Sequence, residues 1–374
     1  MVNLPFFKIG HLEANLIQGG MGVGISGANL SSAVAEEGGI GIIASVGLGL
    51  LKGYFKDELE SSMKRGDFNR LDGKGKRALQ NKIYAESNSD ALADEIRKAR
   101  RKTNGIIGVN IMCALTDYSS LVKTAVRENV DLIMVGAGIA RDLPSYLDGK
   151  NTLLVPITGS ARVARMIVKS WTHLGHPPDA IVVEGPKAGG HLAYSLEQLN
   201  DPVFVSCGLE KIITEVIQEV GPNIPVIGAG GISNGQDIYN ICRHGAAGVQ
   251  IASIMVTTPE CDASDGFKQT YIDSREKDIV IIRSPLGMLG RAIKNDFLKA
   301  VETKRVPFKC DYDCLKTCDP GTSPYCIADA LINAQNGRMD GGFAFAGLNA
   351  HRATKIIPVK EVFETLEREY NQAC

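Results

Sequence analysis

The 374-residue chain carries almost no excess charge of either sign: 41 lysines and arginines stand against 42 aspartates and glutamates, a formal net charge of −1. That balance gives no long-range attraction for nucleic acid or an anionic membrane, and neither is expected as a partner. Long hydrophobic runs are also missing. No stretch approaches 18 apolar residues without glycine or charge, and the opening MVNLPFFKIG lacks the basic segment plus apolar run of a secretory signal. The expected location is the cytoplasm. There is no internal repeat, no low-complexity linker and no C-x2-C pair. Five of the nine cysteines (Cys113, Cys207, Cys242, Cys261, Cys374) are scattered, which suits reduced thiols rather than a disulfide framework.

What the chain does have is 44% apolar residues, ample for a buried core, and 41 glycines, most of them at the ends of apolar runs. Asn15 to Gln18 reads as a first strand opening into Gly19, Gly20, Met21, Gly22 and Gly24. Asn29 or Ser31 then caps a helix to about Glu37, and Ile40 to Ala44 is a second strand. The spacing Gly22-x-Gly24-x-x-Gly27 fits a dinucleotide-binding turn in letters. The helix starts only after it, however, and no acidic residue follows the second strand. Residues 51–90 are polar and charged with both signs mixed, which predicts a solvated helical excursion over the second loop. Asp90 is expected to cap a helix carrying Leu92, Ile96 and Ala99.

Alternation then becomes regular. Strands are predicted at Ile106–Asn110, Asp131–Val135, Leu153–Ile157, Ala180–Val183, Pro225–Gly228 and Gly248–Ile251, with helices Ser119–Glu128, Arg141–Leu147, Ser160–Leu174, Leu209–Val220 and Asn234–His244 between them. Eight strands in simple succession with helices predict an α/β chain closed into a (β/α)8 barrel over residues 1–262. Residues 263–374 form a partly helical C-terminal extension packed near the barrel mouth, with a helix Phe267–Arg275, an apolar run Ile279–Ile282 and a final amphipathic helix Val359–Tyr370.

Three strand ends carry small-residue loops: AIVVEGPKAGGHLAY (Ala180 to Tyr194), PVIGAGGI (Pro225 to Ile232) and GVQIAS (Gly248 to Ser253). Loops after the seventh and eighth strands of such barrels commonly bind phosphate through free amides, here those of Gly230, Gly231 and Ser253 with the Ser253 hydroxyl as a further donor. His191 follows Gly189 and Gly190 directly after the sixth strand. A neutral imidazole there can take an acidic carbon-bound proton or hydrogen-bond an anion. The other histidines, His11, His173, His176, His244 and His351, have no such setting.

IQGGMG (Ile17 to Gly22), GVNIM (Gly108 to Met112), EGPKAGGH (Glu184 to His191), PVIGAGGI and GVQIAS, in that order, resemble the nitronate monooxygenases, formerly 2-nitropropane dioxygenases. That group shares its pattern with flavin-dependent enoyl-acyl carrier protein reductases and some NAD(P)H:quinone reductases. RAIKN (Arg291 to Asn295) is like the same group. The resemblance implies FMN as cofactor, with Gln18, Gly19, Gly20 and Met21 along the ring and Asn110 reaching it from the third strand. It further implies Gly189 and Gly190 beside the ribityl phosphate side, and Gly230, Gly231 and Ser253 on the phosphate. Glu184, Gly228, Gln250 and Ala252 complete the cofactor set, and His191 resembles the catalytic histidine. It implies a small-molecule substrate, a nitronate or an enoyl thioester, with O2 or NAD(P)H as co-substrate. The chain departs from the group's usual pattern at Lys187, at Ala252-Ser253, and after the fifth strand, where Thr158-Gly159-Ser160 stands in place of a lysine. These departures bear on the substrate rather than on FMN.

Cys310, Cys314, Cys318 and Cys326 are spaced C-x3-C-x3-C-x7-C, which matches neither paired zinc ligands nor ferredoxin runs. No metal is assigned to them. Buried structural thiols are one reading, zinc or an iron–sulfur cluster the other. RMDGGFAFAG (Arg338 to Gly347) is expected either to close over the flavin or to form a subunit contact in a homodimer.

Overall fold

The computed structural model describes residues 4–374. Eight parallel strands close into a barrel: β1 (Ile17–Gln18), β2 (Ile40–Ala44), β3 (Ile106–Met112), β4 (Leu132–Gly136), β5 (Leu153–Thr158), β6 (Ile181–Glu184), β7 (Val226–Ala229) and β8 (Gly248–Ile251). Each pairs with the next, and β8 returns to β1 through Gln250–Ile17 and Ile251–Gln18. The strands are apolar almost throughout because helices cover one face while the other fills the barrel. Ile17, Ile40, Ile42, Leu132, Met134, Val155, Val182 and Ile227 make the interior cluster. An N-terminal hairpin, Phe7–Ile9 with Leu12–Ala14, contributes Phe7 and Ile9 to that same cluster.

Several helices start at the polar residue the sequence offers. Ser160 and Asn234 cap the helices Ala161–His173 and Gly235–Arg243. The first helix, Ala28–Glu36, is different: neither Asn29 nor Ser31 caps it. Its opening amides are taken from a distance, those of Gly27, Asn29 and Leu30 by the Asp262 carboxylate and that of Ala28 by Glu95. The helix predicted from Leu209 begins at Pro202 instead, because Asp201 accepts from Val203 N and proline suits a first helical position.

The charged excursion is only partly solvated. Asp90 caps nothing. One helix runs from Gly73 to Lys102 with Asp72 at its N-cap, and it buries Ile83, Tyr84, Ser87, Asn88, Ala91, Leu92, Ile96 and Ala99. These recur every three to four residues on one face, so the charges that dominate the letters belong to the other face.

The extension holds a sheet that residue spacing did not suggest. Ile279–Arg283 pairs antiparallel with Leu289–Ile293, which pairs in turn with Gly190–Leu192 from the loop after β6. The helix Ile327–Gln335 follows the cysteine segment, and the final helix, Val359–Ala373, packs against Gly235–Arg243 and Ala28–Glu36. The last helix of the chain therefore occupies the interval in the helical ring between the seventh helix and the first.

Candidate active site

The C-terminal ends of the strands open into a cavity of about 270 Å³. Its walls come from almost every strand end. Gly19, Gly20 and Met21 follow β1, Asn110 lies on β3, Glu184 closes β6, Gly189 to His191 follow it, Gly230 and Gly231 follow β7, and Gln250, Ala252 and Ser253 belong to β8 and its loop. Gln18 and Gly228 lie outside this lining. The Gln18 side chain is fully buried beside it, giving a hydrogen bond to Ser26 Oγ at 2.7 Å and accepting one from Ile42 N at 3.0 Å, so it ties β1 to β2. Gly228 turns its α-carbon outward, where a Cβ would stand 2.5 Å from Ile241 of the covering helix.

The end formed by the seventh and eighth loops collects free hydrogen-bond donors. Gly230 and Gly231 take φ of +97° and +82°, a conformation glycine reaches without strain. Their amides, and that of Ser253, find no acceptor among the described residues. The Ser253 hydroxyl accepts from Gly347 N at 3.1 Å, which leaves its own proton for a ligand. Beside it Gln250 Oε1 is buried with no hydrogen-bond donor. A phosphate on one side and a ring bearing an N–H on the other match this set of donors and acceptor, so the residues present fit a flavin mononucleotide.

His191 does not sit in a free loop. It is the middle residue of Gly190–Leu192, opposite Gly290 in the extension sheet. Its Nε2 lies 2.8 Å from Ser284 Oγ, and its ring centroid is 5.0 Å from that of Phe345. Ser284 Oγ accepts from Leu286 N at 3.3 Å, so its hydroxyl proton can be given to Nε2, which puts the ring proton on Nδ1. Burial lowers the His191 pKa to about 4, so the imidazole is neutral across the physiological range. Arg291, opposite Gly190, donates to Pro186 O at 2.7 Å and Ala188 O at 2.5 Å. Burial lowers its pKa to about 10, still fully charged near neutrality, and it fixes the loop that carries Gly189 and His191.

Glu184 is the one carboxylate on the wall among the described residues. Burial raises its carboxyl to about 7. The folded chain thus holds this proton more tightly than the unfolded chain, and the ligand-free protein loses stability as pH rises from 4.5 towards 7. The loss is at most on the order of 3 kcal/mol. Glu184→Gln should remove that slope. Thermal melts of the two proteins between pH 5 and 8 are expected to diverge with rising pH and then run parallel above about 7; a constant difference throughout would disprove the assignment.

The rest of the cavity is apolar and reaches the extension. Tyr84, Met112, Leu115, Leu286, Leu331 and Phe343 line it, as do Cys314 and Leu315. Phe343, Phe345, Ala346 and Gly347 of the RMDGGFAFAG stretch are wall residues too. Ser284, Phe345 and Tyr84 were not singled out by residue pattern. For Tyr84 the helical spacing from Ile83 to Ala99 held the signal, whereas Ser284 meets His191 only through strand register.

Among the described residues no three His, Cys, Asp or Glu side chains are arranged to hold a single metal ion. No helix among them is long and apolar enough to cross a membrane.

Fold and cavity together define a (β/α)8-barrel protein with a cavity at the C-terminal mouth of its strands. The family described as nitronate monooxygenase matches residues 5–369, nearly the whole chain. The chain belongs to that family of flavin-dependent oxidoreductases. It is 26% identical over 330 residues to a probable nitronate monooxygenase of Staphylococcus haemolyticus, covering 87% of this chain and 83% of that one. It is 25% identical over 299 residues to (3aS,4S,5R,7aS)-5-hydroxy-7a-methyl-1-oxo-octahydro-1H-indene-4-carboxyl-CoA dehydrogenase of Mycobacterium tuberculosis, covering 80% of this chain. It spans 68% of that dehydrogenase and 64% of its Rhodococcus jostii counterpart. Among solved structures, FabK from Thermotoga maritima superposes with a TM-score of 0.70 at 23% identity, over 96% of this chain and 94% of that one.

Proposed function

We propose that the protein binds FMN in this cavity and oxidises alkyl nitronates with O2 to a carbonyl compound and nitrite. The observation that carries the reading is His191: a neutral imidazole, fixed by Ser284 and the extension sheet, on the wall of a largely apolar chamber whose far end offers the free amides of the seventh and eighth loops. FMN, when bound, supplies a centre that accepts electrons from the substrate and reacts with O2. The amides of Gly230, Gly231 and Ser253 would hold its phosphate, Gln250 and Asn110 would face its ring, and Met21 would lie against it. In the tautomer that Ser284 fixes, His191 donates a hydrogen bond to an anionic nitronate through Nδ1–H; to accept the carbon-bound proton of a nitroalkane at Nδ1, the ring would instead carry its proton on Nε2 and give it to Ser284 Oγ. The apolar walls exclude water and strengthen that hydrogen bond.

A second reading has its own support. The chamber runs on past His191 to Leu315, Ile327 and Leu331, further than a small nitroalkane needs, and such a sleeve suits the acyl part of an enoyl thioester reduced with NAD(P)H. A thioester is also in the name of the dehydrogenase relatives. Anaerobic addition of ethylnitronate and, separately, of NADH to the yellow protein distinguishes the two. Bleaching by the nitronate and little by NADH is expected; rapid bleaching by NADH alone would replace the first reading by the second, and a preparation that takes up no FMN would remove both.

A further inference from the structure

Beyond His191 the chamber continues into a part that the head-group chemistry above does not use. Its walls are Tyr84, Leu115, Leu315, Ile327, Leu331 and Phe343. They come from separate stretches: the inserted helix, the loop after β3, the irregular residues 304–326, and the helix Ile327–Gln335 with the segment that follows it. All but Leu331 are buried.

These pieces are joined without a ligand. Leu115 pairs with Leu315 in an antiparallel bridge, with Thr116 N donating to Cys314 O at 3.2 Å and Lys316 N to Ala114 O at 2.9 Å. From the inserted helix, Arg77 Nε and Asn81 Nδ2 donate to the Asp313 carboxylate at 3.1 and 2.9 Å, and the Tyr84 ring stacks on Tyr312 at 5.0 Å. A ligand entering this end therefore orders little of the protein, and the burial of its apolar surface is retained as affinity.

Charge is missing here. Among the described residues no lysine or arginine lines the chamber, and its one carboxylate, Glu184, closes β6 among the strand ends. Burial raises the Cys314 thiol, which stays neutral. An apolar end without an ionic partner takes up methylene groups and rejects a charged terminus, whose desolvation nothing would offset. The phosphates of a dinucleotide would find no cation there either.

We propose that the substrate's reacting head group meets His191 while an uncharged alkyl tail fills this end, with Ala328 and Leu331 on one helix face limiting its length. The substrate class is a nitronate or thioester with an apolar tail, rather than a short compound ending in a carboxylate. The proposal rests on the preceding reading only for the identity of the head group.

Straight-chain amides test it, because their carbonyl accepts from His191 Nδ1–H as a nitronate oxygen would. Propanamide, pentanamide and heptanamide are titrated by calorimetry into the full chain, with flavin content measured on the same samples. Affinity should rise by up to about fourfold per added methylene, so that heptanamide binds roughly tenfold or more tightly than propanamide. Adipamate, which ends in a carboxylate, should bind at least about tenfold more weakly than hexanamide. Leu331→Trp and Ala328→Leu each fill the end, and either should cut the heptanamide-to-propanamide affinity ratio by about fivefold or more. Circular dichroism reports whether each variant has folded. Equal affinity along the series, adipamate matching hexanamide, or an unaltered ratio in a folded filling variant would overturn the proposal. A protein that takes up no flavin yet shows the length series would remove the flavin reading and keep the tail site.

Discussion

His191→Ala should lower turnover of ethylnitronate by about 10²- to 10⁴-fold, the range typical for removing a positioned acid–base group. The flavin absorbance of the purified protein should remain unchanged. The separation is expected because the two functions rest on different elements. The proposed phosphate cradle belongs to the loops after β7 and β8, whereas His191 is held by the extension through Gly290 and Ser284. The wild-type pH profile carries a second signature. With the imidazole lowered to about 4, an acid limb due to His191 lies near that value rather than near 6.5. Protonation of the unfolded chain begins at the higher value. The native protein therefore also loses stability as pH falls from 6.5 towards 4, opposite in sign to the effect of Glu184. Steady-state rates with flavin content measured on the same samples decide the matter. A variant within tenfold of wild type with full flavin would remove His191 from the mechanism.

The second large effect is expected at Gly189. A Cβ on this residue would stand 2.5 Å from Ala346 C and 2.5 Å from Gly347 N, backbone atoms of the extension that cannot swing aside as a side chain can. Gly189→Ala must push that segment away, at about 1–3 kcal/mol. With it goes Gly347 N, which orients the Ser253 hydroxyl at the anion cradle. The expected result is a lower Tm and an FMN affinity reduced at least tenfold, read by fluorescence titration of the released flavin. Gly190→Ala is the control. It has φ of +76° but nothing within 4 Å of its Cβ, so it should cost backbone strain without displacing the extension. Equal flavin affinity in both variants would show that contact between the loop and the extension does not shape the cradle.

The stretches most legible in the sequence are those where local chemistry and burial agree. Ile40–Ala44 and Gly248–Ile251 are strands with the bounds their apolar letters suggest, and Ser160 and Asn234 start the helices they precede. Where a cap comes from far along the chain, local reading fails: Asp262 and Glu95 serve the first helix in place of Asn29 or Ser31. The inserted helix was obscured for another reason. Its lysines, arginines and glutamates outnumber its apolar residues, and only the face they leave clear, Ile83 to Ala99, shows that it is packed. In the candidate site, glycine-rich strand ends marked the cavity because backbone must approach a ligand there. Gln18 and Gly228 carry the same local marks yet serve strand and helix packing.

By itself, then, the order of apolar runs and glycines determined an eight-stranded parallel barrel with small-residue loops at its mouth. Strand burial and close backbone approach are properties a few adjacent residues express. Only the tertiary structure decided that the extension pairs with the His191 strand and that Ser284 and Phe345 meet its ring. Those contacts join residues about 90 positions or more apart. They depend on strand register and chain reversal, which no local pattern of side chains specifies.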